Sequence, residues 1–129
     1  ALKEITGFLN TNDGVLLIGV RDVKHRSAEE PAVTGIEVDG YTGDKDKYLR
    51  TIMNLLKDTI GVTAATLVTI KFDEVENKMI CRIECKKSTE PVYCRYKDYG
   101  EKPFVRNGSS TTEPTHQEWG RWCKKHFPS

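Results

Sequence analysis

Residues 5–22 read ITGFLNTNDGVLLIGVRD, and the change of pattern inside this stretch decides the fold. On its upstream side Leu2, Ile5, Phe8 and Leu9 fall at helical spacing. On its downstream side GVLLIGV is a continuous apolar run, which reads as a central strand covered on both faces. Between the two, Asn10-Thr11-Asn12-Asp13-Gly14 gathers turn-forming residues, so the spacing predicts a helix over residues 1–9 that stops at Asn10. Gly14 is then required at the entry to the strand, for a positive φ or for close backbone approach. No N-cap precedes the helix. The chain therefore reads as starting inside it, as one module of a longer protein.

Outward from this stretch, residues 21–31 are polar and irregular, and residues 32–38 form a short second strand broken by Gly35. A helix is expected over residues 44–60, with Tyr48, Leu49, Ile52, Leu55, Leu56 and Ile60 as its apolar stripe. Asp44 and Asp46 suit its positive end, and Gly61 ends it. Residues 66–72 alternate with Val68, Ile70 and Phe72 inward. A turn at Glu76-Asn77-Lys78 leads into a partner strand over 79–86 with Met79, Cys81, Ile83 and Cys85 inward. Further strands are expected over 91–96 and 102–106, followed by a polar turn over 107–111. Thr115 and Glu118 have capping-box spacing and open a last helix whose inner face is Trp119, Trp122 and Phe127. The fold class is α+β: a mixed, largely antiparallel sheet with about three packed helices, in a single domain over residues 1–129.

Composition narrows the function classes. The 129 residues are 37% hydrophobic and 30% charged, which excludes a disordered chain. Lys and Arg number 20 against 19 Asp and Glu, a net charge of +1. Capture of nucleic acid or membrane by overall charge is thereby excluded, and anion binding must come from a local patch. The longest apolar run, Val15-Leu16-Leu17-Ile18, is far shorter than a membrane span, so no membrane partner is expected. No signal sequence is read at the start, and a cytoplasmic location follows. Cys81 and Cys85 would lie about 13 Å apart along an extended strand, too far to bridge. Cys94 and Cys123 have no CxxC partner. Free thiols in a reducing compartment are expected, with no disulfide, metal or other cofactor.

Two stretches carry candidate chemistry. Arg21, Lys24, His25 and Arg26 form the densest basic cluster, in a loop; it reads either as a phosphate contact or as a solvated loop neutralised by Glu29 and Glu30. Residues 91–110, PVYCRYKDYGEKPFVRNGSS, interleave Tyr93, Tyr96, Tyr99 and Phe104 with Arg95, Lys97, Lys102 and Arg106. Aromatic rings beside cations are what stacking on bases and holding phosphates require, although alternating aromatics are also ordinary strand residues. The hydroxyls of Ser109, Ser110 and Thr111 could add phosphate contacts. Arg106 either grips an anion through its fork or forms a surface ion pair with Glu101 or Glu113. The NTNDG turn precedes a strand rather than a helix, so it is no P-loop. Asp22 and Glu84 have no carboxylate partner at fixed spacing, and His25, His116 and His126 are scattered.

Three blocks in order, ITGFLNTNDGVLLIGVRD, the helix and strand of residues 47–72, and STEPVYCRY followed by PFVRNGSST, resemble the Schlafen/AlbA-type DNA-binding domain. The family's glycine pair is here Asp13-Gly14. The acid-bearing segment that the family carries before the first helix is absent from this chain. The resemblance implies a nucleic-acid-binding regulatory domain, for DNA or RNA; the local basic and hydroxyl residues Arg21, Lys24, Arg26, Arg95, Lys97, Arg106, Ser109 and Ser110 are the expected contacts, and no catalytic residue is expected. Two alternatives stay open. One is a metal-dependent endoribonuclease lacking its upstream acids, in which Asp22 would match the third acid. The other is a protein-interaction module using exposed β edges, which would equally admit a homodimer.

Overall fold

The structure, a computed structural model, describes residues 2–20, 33, 35–37, 41–95 and 100–128. In chain order it runs α1 (Leu2–Thr11), β1 (Gly14–Ile18), α2 (Lys45–Ile60), the single turn α3 (Val62–Ala65), β2 (Val68–Val75) and β3 (Lys78–Cys85). There follow β4 (Cys94–Arg95), β5 (Glu101–Lys102), β6 (Val105–Asn107), β7 (Ser110–Thr112) and α4 (His116–His126). The fold is α+β, and its described strands pair antiparallel in three sheets: β1-β3-β2, β4-β5 and β6-β7.

The β2–β3 hairpin closes through Glu76 and Asn77, at φ 52° and 61°, the paired left-handed conformation that suits the twist of a two-residue turn. Its register sets Ile83 opposite both Leu16 and Ile70, and Cys81 opposite both Ile18 and Phe72, so one face of β3 becomes the floor of the core. Helix α2 is capped by Asp44, whose side chain accepts from the Lys47 N–H at 3.0 Å, and it ends at Gly61 with φ 93°. Its buried Leu56 and Ile60 meet Ile5 and Leu9 of α1 above Cys81, Ile83 and Cys85. The capping box of α4 forms in both directions, Glu118 N–H to Thr115 Oγ1 at 3.2 Å and Thr115 N–H to Glu118 Oε1 at 3.0 Å.

Several expectations are corrected. β1 is not a central strand covered on both faces. Among the described strands it pairs with β3 alone, and Val15 and Leu17 on its outer face are 52% and 43% exposed. The central place goes to β3, because the tight hairpin and the return of β1 both pair with it. Gly14 does not adopt a positive φ; the ring of Phe8 occupies the space that a Cβ there would need. Within residues 32–38, the described ones make an isolated bridge, Val20 to Val33, and Ile36 N–H donates to Met79 O at 2.8 Å; Ala32, Thr34 and Val38 lie outside the described residues. The polar turn over 107–111 is a hairpin: Gly108, at φ 62°, and Ser109 make the turn, while Ser110 and Thr111 belong to β7.

Helix α1 does not stop at Asn10 but carries it on its buried face, one turn beyond Thr6. The Asn10 Oδ1 accepts from Val92 N–H at 2.8 Å, and Nδ2 donates to the carbonyls of Val92 and Phe104, both at 2.9 Å. Its main-chain carbonyl accepts from Trp122 Nε1 at 3.1 Å, and that of Leu9 from Ser88 N–H at 2.8 Å. The C-terminal carbonyls of α1, which no helix satisfies internally, are thus met by distant segments. Replacing Asn10 by Leu would leave one N–H and two carbonyls buried without partners, at about 1–3 kcal/mol each. Asn10→Leu is expected to lower unfolding free energy in urea by at least about 3 kcal/mol; a loss below about 1 kcal/mol would show that these groups find other partners.

Candidate nucleic-acid interface

The β6–β7 hairpin brings Arg106, Ser109 and Ser110 together, with Arg106 paired across to Thr111 and Asn107 to Ser110. Both serines are exposed at its tip. Arg106 is held from three sides. Its backbone N–H donates to Thr11 Oγ1 at 2.9 Å, its Nη1 donates to Thr111 Oγ1 at 2.8 Å, and its guanidinium lies 4.7 Å above the centre of the Phe8 ring. Gly7 lets its stem pass: a Cβ at that position would stand 3.1 Å from Arg106 Cγ. Its Nε is buried with no hydrogen-bond partner among the described residues. The expected ion pairs form elsewhere, because Glu101 pairs with Arg95 at 3.1 Å and Glu113 with Lys102 at 3.5 Å. Arg106 therefore clamps α1 to the hairpin.

Arg95 stands differently. It sits on β4, on the wall of a cleft of about 400 Å³ between the α2–α3 corner and the segment after β3. Tyr93, Ser88, Thr89, Lys87 and Lys57 share that cleft. The side chains of Arg95 and Glu101 are 65% and 57% exposed, so water screens their pair and little is lost when Arg95 turns to another anion. Tyr93 is held edge-on against Trp119, with centroids 5.7 Å apart, and its hydroxyl accepts from Trp119 Nε1 at 2.9 Å. Its ring is oriented before any ligand arrives. The cleft's own charges balance: Lys57, Lys87 and Arg95 face Asp58, Glu90 and Glu101.

Other expected contacts are placed or displaced. Phe104 is buried in the core and is not available for stacking, since Asn10 holds its carbonyl inside. Asp13 of the NTNDG turn accepts from Lys87 N–H at 2.7 Å and so serves as a latch. Arg21, Asp22, Lys24, Arg26, Tyr96, Lys97 and Tyr99 lie outside the described residues. Sequence reasoning missed Lys57 and Lys87; the Lys86-Lys87 pair directly after β3 was the available signal. Burial pushes the Cys81 thiol up to about 11 and that of Cys85 to about 12, so both stay protonated at neutral pH and offer no nucleophile. All four cysteines are free, and no group of three His, Cys, Asp or Glu among the described residues is arranged to hold a metal.

With this geometry, the chain matches the Schlafen, AlbA_2 family over residues 1–115 and belongs to it. That membership makes it a nucleic-acid-related domain. Among solved structures, the DIP2311 protein from Corynebacterium diphtheriae shares the fold, with a TM-score of 0.62 at 18% identity over 99% of this chain. The chain spans 22% of that protein's length. No curated protein matches.

Arg106→Ala is expected to lower unfolding free energy by about 2–3 kcal/mol, the sum of a charged hydrogen bond and a cation–π contact. Arg106→Lys should recover less than half of it, since an ammonium cannot lie flat on Phe8 while bonding Thr111. An unchanged urea midpoint for the alanine variant would remove Arg106 from the framework.

Proposed function

We propose that this chain is a nucleic-acid-binding regulatory domain that holds phosphates through local cations and hydroxyls and stacks on bases through Tyr93. The observation that carries the reading is the pair of Tyr93 and Arg95, exposed on one cleft wall with Tyr93 fixed by Trp119 and Arg95 loosely paired. Arg106, Ser109 and Ser110 supply a second contact at the β6–β7 hairpin. Arg21, Lys24, Arg26 and Lys97 are proposed contacts outside the described residues. Family membership supports nucleic acid as the partner class, DNA or RNA. Four free thiols support a reducing, cytoplasmic setting, and no helix among the described residues is long and apolar enough to cross a membrane.

The proposed assembly is a homodimer through β1. Its edge carries no charge and no proline, whereas β2 at the opposite edge carries Lys71, Asp73 and Glu74. Antiparallel self-pairing about Leu16 would set exposed Val15 beside Leu17 of the second copy. Leu17→Lys is expected to convert a sedimenting dimer to monomer without moving the melting temperature; a wild-type chain that stays monomeric at tens of micromolar sinks the assembly.

For the binding itself, fluorescence anisotropy with labelled dT20 and rU20 across a NaCl series is the direct measurement. Affinity should fall linearly with log salt for at least one probe. Arg95→Ala should reduce the slope by about 0.7, one single-strand phosphate contact, at unchanged melting temperature. Indifference to salt, or no binding of either probe at low salt, would end this reading.

A further inference from the structure

The cleft is balanced in charge, yet one of its cations reaches out of it. Lys87 Nζ donates to the His126 carbonyl at 3.4 Å and lies 5.0 Å from the centre of the Phe127 ring, so it bridges the cleft to the C-terminal end of α4. On that helix Arg121, Lys124 and Lys125 stand at i, i+3 and i+4, all exposed, opposite the Trp119 and Trp122 side. The one acid of α4, Glu118, is tied into the capping box and interacts with Arg121, and Lys124 and Lys125 have no ion pair among the described residues. His126 stacks on Trp122 with centroids 3.9 Å apart. Its pKa is lowered by burial and then by Lys125 and Lys87, as expected inside a positive field.

A helix C-terminus favours cations, which accounts for Lys124, Lys125 and the Lys87 ammonium on the His126 carbonyl taken singly, but not for Arg121, a turn further from that end, nor for all four cations standing on one side. We propose that Lys87, Lys124 and Lys125, with Arg121, form a phosphodiester-tracking surface that carries the backbone of a single strand onward from the Tyr93–Arg95 cleft. The surface supplies the positive excess that the cleft lacks. Cations one helical turn apart on an exposed face suit successive phosphates, and Lys87 belongs to both places, joining the cleft to the end of α4. α4 lies beyond residue 115, outside the stretch that matches the family, so this contact belongs to the chain's own C-terminal helix. The inference rests on the nucleic-acid reading above.

The test uses the full chain, dT20 and rU20, and the variant Lys124→Ala/Lys125→Ala, with Lys45→Ala/Arg50→Ala on α2 as a matched loss of two exposed cations. The α4 pair should lower the salt slope by about 1.4 for the probe that binds, at unchanged melting temperature, and the α2 pair should leave it unchanged. Wild-type binding with an unaltered slope in the α4 variant overturns the tracking surface and leaves the cleft reading standing. Equal losses in both variants overturn it too, as general charge attraction. Binding to phosphatidylserine vesicles that the α4 variant loses, with oligonucleotide binding intact, assigns the surface to lipid instead. If wild type binds neither probe, both readings fall together.

Discussion

One carboxamide ties together segments that lie far apart along the chain. Asn10 reaches Val92 and Phe104 with its side chain, and Trp122 reaches back to its main-chain carbonyl. The consequences spread through the second half of the molecule. Because Asn10 holds both the N–H and the carbonyl of Val92, that residue is drawn away from a ladder, and among the described residues of the expected strand over 91–96 only Cys94 and Arg95 pair in a sheet. Because the Phe104 carbonyl is also taken, the expected strand over 102–106 divides into β5 and β6 on either side of it. β6 is thereby free to pair with β7, and the hairpin that carries Arg106 exists. A buried amide with every partner in place specifies where separate segments of the chain meet in a way that apolar packing alone does not.

Periodicity made much of this fold legible. The apolar stripe of α2 with Asp44 before it and Gly61 after it, the alternation in β2 and β3, and the capping box of α4 each repeat a local rule and form where that rule puts them, except that Leu55 of the expected stripe is 48% exposed. The failures share a different cause. A run of four apolar residues in β1 does not say whether one face or two are covered, and here Val15 and Leu17 remain exposed. Asn10 counts as a turn former in any local reading, yet it follows Leu2 and Thr6 at intervals of four. That spacing puts it on the buried side of α1, where its partners are more than eighty residues away.

The same separation divides the arginines. Arg95 and Arg106 stand in one aromatic-basic segment and look equivalent along the chain. Arg106 meets Thr11 and Phe8 of α1, so it also joins two elements, with its buried Nε unpartnered among the described residues. Arg95 meets a neighbour six positions on, in water, and keeps its fork available. Sequence separation of the partners, rather than residue type, distinguishes the arginine that joins two elements from the one that pairs in water.

Helix α4 ties the framework to the cleft wall. Trp122 satisfies the carbonyl of Asn10, and one turn earlier Trp119 fixes the hydroxyl of Tyr93. Tyr93 in turn directly follows Val92, whose two backbone groups Asn10 holds. The helix therefore closes a loop of contacts running from α1 through the cleft wall and back, with its tryptophans inward and its cations outward. Rotating α4 by even a fraction of a turn would break both indole hydrogen bonds before it moved Lys124 or Lys125 out of solvent. The orientation of the basic face is set by the apolar one, and the preorganisation of Tyr93 is a by-product of the contact that sets it.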